Sequence, residues 1–249
     1  MRKQIIPESI ARLEKLEELN LSSNLLESLP EPIGMLRNLK SLNVSGNKLN
    51  ALPDTICLCR YLGNLRRLSI HLNKIQSLPA SIGDMSALCF VDAHMNELSG
   101  LPDEIGRLTN LEILNLSSNF TNLSQLPNMI GGLINLKELD LSHNQIQALP
   151  YTLGRLDKLT KLNLEHNPLD IPPPEVINEG VEAIKTFMHD LPVEEERKSS
   201  LEGNDQTQTG WLMRGGSWLL NSASFVGGSI SGYLMGGAPK NAAYLEEAL

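Results

Sequence analysis

Two pairs of histidines stand at matching places in the chain and are the first candidates for metal binding. His71 and His94 are 23 residues apart, and the same interval separates His143 from His166. Zinc in proteins takes three or four protein ligands, mostly His and Cys. Each pair lacks a third ligand at a recognisable spacing, and solvent-facing polar residues explain both pairs. We therefore predict no metal and no other cofactor.

Nucleophilic chemistry has weaker support. Ser69, His71 and Asp92 could be drawn as a triad, but the positions belong to an open face with no visible oxyanion pocket. Cys57 and Cys59 have the wrong spacing for the usual zinc pairs. No phosphate-binding loop, G-x-S-x-G, HExxH or kinase motif occurs. The sequence thus predicts a protein that is not an enzyme.

Composition narrows the class of protein. The 249 residues are 41% hydrophobic but only 4% aromatic, and the net charge is −8. Nucleic-acid binding needs clustered Lys and Arg, so no nucleic-acid partner is expected. Three cysteines, no signal peptide at the start and no run of about 20 apolar residues favour a cytoplasmic protein without a transmembrane segment.

Self-similarity explains where the histidines stand. Asparagines close seven copies of the pattern L-x-x-L-x-L-x-x-N, with intervals of 23 to 26 residues. Each copy continues with an apolar residue, then Leu-Pro or Ile-Pro, and mostly Ile-Gly. This period is typical of a leucine-rich-repeat solenoid. The closing residues are Asn24, Asn47, Asn73, Asn96, Asn119, Asn144 and Asn167.

The physical chemistry of the repeat predicts an α/β solenoid over residues 1–172. L-x-L is a short strand with its leucines pointing inward, and successive strands stack into a parallel sheet on the concave side. The Asn amide both donates and accepts, so it can satisfy backbone groups where the strand bends away. Pro then ends the strand, and a short helix or turn follows on the convex side.

Both ends of the solenoid depart from the repeat. Ile6-Pro7-Glu8-Ser9-Ile10 matches the middle of a repeat, so we expect that an N-terminal portion is missing. Residues 173–190 predict one capping helix with Val181, Ile184, Phe187 and Met188 on one face. Residues 191–210 are polar and mixed in charge, as in flexible linkers.

The tail, residues 211–249, is rich in Gly and Ser and carries an apolar residue every seven positions, at Trp211, Trp218 and Phe225. A helix would place these rings on one stripe. Three interpretations stay open: docking on the solenoid or on a partner, peripheral contact with a membrane surface, and an unstructured segment loosened by glycine.

The repeat LPxxIGxLxxLxxLxLxxNxL resembles the Ras-group class of intracellular leucine-rich repeats. The motifs Asn167-Pro168-Leu169, Pro173-Pro174-Glu175 and Gly180-Val181-Glu182-Ala183 narrow the resemblance to the plant intracellular Ras-group-related leucine-rich-repeat proteins. So do Gly210-Trp211-Leu212, Ser217-Trp218-Leu219 and Ser231-Gly232-Tyr233-Leu234. This resemblance implies protein interaction in signal transduction, and a small GTPase partner is implied by the class name alone.

One repeat differs from its neighbours on the predicted concave face. Residues 88–96 read LCFVDAHMN where residues 111–119 read LEILNLSSN. Aromatic, aliphatic and Arg side chains amid polar ones are the composition of binding hot spots. We therefore predict a docking patch, which comprises Arg67, His71, Leu72, Phe90, Asp92, His94, Met95 and Ile113.

Taken together, these features predict a non-catalytic intracellular scaffold or adaptor that binds an unidentified protein partner. Two alternatives stay open: an extracellular receptor-type recognition ectodomain, and a regulatory subunit of a phosphatase or ubiquitin ligase.

Overall fold

The computed structural model describes residues 5–57, 64–119 and 123–191, all within one compact unit, Met1–Leu191. These residues form a parallel sheet of seven strands whose spatial order follows the sequence. The predicted leucine-rich-repeat solenoid is therefore confirmed. The strands are β1 Glu18–Asn20, β2 Ser41–Asn43, β3 Arg67–Ser69, β4 Phe90–Asp92, β5 Ile113–Asn115, β6 Glu138–Asp140 and β7 Lys161–Asn163.

Each strand has three residues, and the middle one points into the interior. Leu42, Leu68 and Val91 are fully buried there. A buried Leu contributes roughly 1.5–3 kcal/mol relative to an exposed one, so the stacked leucines are the main source of stability. The same position is only half-buried in the two edge strands, at Leu19 and Leu162, because an edge strand has a neighbouring strand on one side only.

Short 3₁₀ helices occupy the opposite side of the solenoid, as predicted from the Leu-Pro step. The helix at Ala80–Asp84, for example, begins directly after Pro79, whose φ is −66°. Pro fixes φ, and its missing N–H costs no hydrogen bond at the start of a helix. The 3₁₀ helices are Glu8–Arg12, Glu31–Met35, Asp54–Cys57, Ala80–Asp84, Asp103–Arg107, Asn128–Gly132 and Tyr151–Arg155.

Close packing between these helices explains the glycine of the Ile-Gly step. A Cβ on Gly34 would lie 2.0 Å from the backbone oxygen of Thr55, and one on Gly106 would lie 2.1 Å from that of Met129. Real Cβ atoms do not approach that closely, so the next turn of the solenoid excludes any side chain. The sequence shows the glycine, but only the stacking of neighbouring turns gives the reason for it.

The repeat asparagines link one turn of the solenoid to the next. In Asn96, Oδ1 accepts a hydrogen bond from the backbone N–H of Ile75 at 3.0 Å. Its Nδ2 donates to the carbonyls of Ile70, Ala93 and His94 at 3.1, 3.1 and 3.3 Å. Asn47, Asn73, Asn119, Asn144 and Asn167 make bonds of the same kind. Asn24, in the first turn, is exposed and donates to two carbonyls of its own turn.

The C-terminal cap differs from the single helix predicted over 173–190. It consists of two helices, α1 Pro174–Asn178 and α2 Val181–His189. Gly180 separates them with φ of 97°, a backbone conformation that side chains other than hydrogen rarely tolerate. Of the predicted apolar face, Ile184 and Met188 are buried.

Lys185 is a buried cap residue that the apolar pattern did not indicate. Its side chain is 10% exposed, and α2 packs on the helix Tyr151–Arg155. The ammonium donates to the carbonyl of Asp157 at 3.1 Å and to Glu182 Oε1 at 2.8 Å. Lys185 therefore satisfies backbone carbonyls at the end of the last repeat.

Candidate functional site

The outward positions of the strands form columns along the sheet, and we call this surface the sheet face. The register places Arg67 beside Phe90, and Phe90 beside Ile113. A second column runs through Ser69 and Asp92. The pairing thus brings four members of the predicted docking patch onto adjacent strands, namely Arg67, Phe90, Asp92 and Ile113. Whether the patch binds a partner stays a prediction.

Arg67 and Phe90 contact each other across β3 and β4. The Arg67 Cζ atom lies 4.2 Å from the centroid of the Phe90 ring. A guanidinium over an aromatic face at an exposed site is stabilised by about 0.5–1 kcal/mol. The stack holds a cation and an aromatic ring together, and beside it Ile113 is half-buried.

Leu72 and Met95 occupy an unusual backbone conformation directly beyond these strands. Their φ angles are 55° and 52°, in the left-handed region. This position is left-handed in every turn, and in the other turns it is occupied by Ser23, Gly46, Ser118, His143 and His166. The left-handed conformation costs roughly 1–2 kcal/mol for a residue with a Cβ. Both side chains are nevertheless apolar and exposed, at 49% and 42%.

His71, Asp92 and His94 form a cluster beside that position. The His94 Nδ1 atom lies 2.6 Å from Asp92 Oδ1, and the His71 Nδ1 atom lies 3.2 Å from Asp92 Oδ2. The two imidazole rings are stacked, with centroids 4.5 Å apart and planes 9° from parallel. One carboxylate therefore faces the Nδ1 atoms of two histidines from adjacent turns.

The Nδ1 atom of His71 in this cluster makes no hydrogen bond within the described residues. Although it lies 3.2 Å from Asp92 Oδ2, the angles do not make a hydrogen bond, and this buried atom has no hydrogen-bond partner among the described residues. Burial lowers the pKa of His71 below its usual value of 6.5, the Asp92 charge opposes that change, and His94 lowers the pKa further. The lowered pKa favours the neutral form of the His71 imidazole.

His143 and His166 form a second stacked pair, with ring centroids 4.3 Å apart. Within residues 5–57, 64–119 and 123–191, however, the first cluster is the one place where three His, Cys, Asp or Glu side chains assemble closely enough for a metal ion. Sequence spacing revealed both histidine pairs but assigned no third ligand. Asp92 lies two residues before His94 and one turn of the solenoid away from His71. This position in the repeat could have identified Asp92 as the third ligand.

Ser69 and Cys89 are the other side chains with possible chemistry near this cluster. In the described part of the chain, no hydrogen bond joins Ser69 to His71, so the triad is not formed. The Cys89 thiol lies 3.2 Å from the carbonyl of Arg66. Residues 58–63 and 120–122 lie outside the described residues, as does the predicted linker from residue 192 onward.

The tail residues Trp211, Trp218 and Phe225 also lie outside the described residues, and their docking stays a prediction. Across the described residues, none of the helices combines the length and apolar character that crossing a membrane requires.

Comparison with known proteins agrees with this geometry. Residues 122–169 match the family described as leucine-rich repeat, and residues 14–54 match the family of paired leucine-rich repeats. The chain is 56% identical over 151 residues to plant intracellular Ras-group-related LRR protein 3 of rice, Oryza sativa subsp. japonica, a match that covers 57% of this chain and 33% of that protein. The protein of the same name from Arabidopsis thaliana is 52% identical over 153 residues, covering 58% and 31%.

Among solved structures, the chain is similar to the LRR ectodomain of the plant membrane receptor kinase GASSHO1/SCHENGEN3 from Arabidopsis thaliana. The TM-score is 0.58 and the identity 34%, covering 66% of this chain and 20% of that one. The chain spans about a third of the length of the curated relatives it matches.

Proposed function

We propose that this chain, which belongs to the plant intracellular Ras-group-related leucine-rich-repeat family, is a non-catalytic cytoplasmic scaffold that binds a protein partner through the sheet face. The relatives are named intracellular, which supports the cytoplasmic assignment over the receptor-type alternative. A signalling role follows the name of the family and belongs to the same proposal.

The observation that carries the proposal is the pair of apolar side chains at left-handed positions. Leu72 and Met95 are exposed there at φ of 55° and 52°. Neither burial nor backbone preference favours such residues, whereas Gly46 fills the same position without strain. A partner that covers both side chains would recover free energy by removing them from water.

The chemistry of the patch indicates the kind of partner surface. Arg67 carries a cation onto the ring of Phe90, with Ile113 next to that ring along the same column. Such a surface fits an apolar segment flanked by carboxylates. Interfaces that bind tightly often have this composition of aromatic and Arg anchors with polar surroundings. The similar solved ectodomain is itself in complex with CASPARIAN STRIP INTEGRITY FACTOR 2.

The test compares two double variants in affinity purification from plant extract with quantitative mass spectrometry. Arg67→Ala/Phe90→Ala removes the stack from the centre of the sheet face. Glu138→Ala/Lys161→Ala removes another neighbouring pair from the same column on β6 and β7, where the two side chains form an exposed ion pair. The tagged chain should recover partners that the first variant loses and the second variant retains.

Binding of each recovered partner is then measured with purified components. Loss of a hot spot of about 2 kcal/mol raises the dissociation constant about 30-fold. Circular dichroism and thermal melting show whether both variants keep the fold. Equal recovery by the wild type and both folded variants would eliminate the sheet face as the binding surface.

A further inference from the structure

We propose that His71, Asp92 and His94 form a binding site for one divalent transition-metal ion of the Zn²⁺ type. The site goes beyond the docking function, since it requires no partner and can be measured on the chain alone. Two imidazole nitrogens and one carboxylate are ligands that zinc takes in proteins. Nitrogen donors favour Zn²⁺, Co²⁺, Ni²⁺ or Cu²⁺ over Mg²⁺ and Ca²⁺, which prefer oxygen alone.

The distances between the donor atoms suit a small ion. The three ligand atoms lie within 4.8 Å of one another. Zinc bonds of about 2.0–2.1 Å in tetrahedral geometry place neighbouring ligand atoms about 3.3 Å apart. The Nδ1 atoms of His71 and His94 lie 3.2 and 2.6 Å from Asp92 oxygens. The first distance already fits, and the second requires His94 to withdraw by less than about 1 Å. The two stacked rings, whose centroids lie 4.5 Å apart, must also tilt toward each other so that both lone pairs meet one ion, which side-chain rotation allows.

The solenoid fixes the backbone positions that carry these three side chains before any ion binds. Asp92 ends β4 and pairs with Ser69 at the end of β3. His71 and His94 each follow two residues later, so the two rings repeat with the spacing of adjacent strands, about 4.8 Å. That spacing agrees with the observed 4.5 Å between the stacked ring centroids. Ligands preorganised on rigid elements bind an ion at a smaller entropic cost than ligands on mobile loops.

Without an ion the cluster is unevenly satisfied. Asp92 Oδ1 accepts from both the backbone N–H and the Nδ1 of His94, whereas the buried Nδ1 of His71 has no hydrogen-bond partner in the described part of the chain. A buried polar atom without a partner costs about 1–3 kcal/mol. A cation between the rings and the carboxylate would receive the lone pair of that nitrogen.

Access to the cluster leaves room for a fourth ligand. The side chains of His71, Asp92 and His94 are 25%, 15% and 27% exposed. An ion can therefore enter from solvent, and its remaining position can hold water or a group of a bound protein. Three protein ligands with one open position are the arrangement of exchangeable zinc sites rather than of closed structural ones.

The chain offers a matched control in its other histidine pair. His143 and His166 stack at 4.3 Å, as the first pair does, but no carboxylate completes a three-ligand group there in the described residues. Zinc and cobalt are titrated into the metal-free, 249-residue chain and into four single variants. His71→Gln, Asp92→Asn and His94→Gln each remove one ligand, and His143→Gln alters the control pair. Calorimetry gives affinity and stoichiometry, and Co²⁺ absorption reports the ligand type.

The wild type and His143→Gln should bind one ion at this site with the same affinity. Each ligand variant should bind at least about 10–100-fold more weakly, since loss of even an outer partner of a metal ligand has that effect. Asp92→Asn keeps an oxygen that can accept a hydrogen bond from His94. Its affinity for the ion therefore tests the site even if a histidine variant unfolds. Absence of binding by the wild type, equal binding by the folded ligand variants, or a thiolate-to-cobalt absorption band would each overturn the site.

Discussion

Replacing Asn96 with Ala should destabilise the solenoid by about 2–3 kcal/mol. The side chain is 5% exposed and Ile75 is fully buried. The three carbonyls that Asn96 bonds keep other donors. Ile70 retains Asn73, Ala93 retains Asn119, and His94 retains the N–H of Leu72. The N–H of Ile75 loses the side-chain oxygen on which it depends.

An unsatisfied buried donor costs about 1–3 kcal/mol, and the small cavity left by the amide adds to this. The assay is urea unfolding followed by circular dichroism, with hydrogen exchange of the Ile75 amide as a local measure. Neighbouring turns support each other, so exchange should also quicken in the turns on both sides.

Two further variants separate hydrogen bonding from packing. Asn24→Ala alters the exposed asparagine of the first turn and should cost under about 1 kcal/mol. Asn96→Asp keeps the acceptor for Ile75 but points a carboxylate oxygen at three carbonyl oxygens, so it should destabilise more than Asn96→Ala. The reasoning fails if Asn96→Ala and Asn24→Ala cost the same, or if Asn96→Asp is tolerated.

Three other substitutions have expected outcomes. Leu72→Asn should raise the unfolding free energy by about 0.5–1 kcal/mol in urea titration, because Asn tolerates φ of 55°, and should weaken partner recovery; a clear loss of stability would contradict this. Gly106→Ala should cost about 1–3 kcal/mol by overpacking, whereas Gly100→Ala, with nothing within 4 Å, should be near neutral; similar melting temperatures would refute the packing argument. Lys185→Met should lower the unfolding free energy by about 1.5–3 kcal/mol, because it removes charged hydrogen bonds. The control Lys158→Met, at an exposed residue, should lower it much less. Equal effects in chemical denaturation would show that the Lys185 ammonium does not stabilise the cap.

The repeat pattern predicted the fold because each of its residues has one local task. Leucine at alternate positions buries one face of a strand, and Pro precedes the short helix at Ala80–Asp84 and its equivalents. The C-terminal cap was harder to predict. Its apolar face at Ile184 and Met188 is visible in the sequence, but the break at Gly180 and the burial of Lys185 depend on the last repeat beneath them.

The candidate sites were also predicted only in part from the sequence. The sequence determined which residues share the sheet face, because a regular period fixes the register of stacked strands. It could therefore select Arg67 and Phe90 as neighbours on the predicted patch. That they stack at 4.2 Å depends on side-chain directions that a period does not specify.

By itself, the sequence determined the repeat, its parallel sheet and the columns of outward residues, since all three follow from the spacing of leucine and asparagine along the chain. Only the tertiary structure decided that Asp92 faces two histidines at once and that Leu72 and Met95 are held at positive φ. Those features arise where one turn lies against the next, and contacts between turns depend on distance and angle rather than on order along the chain.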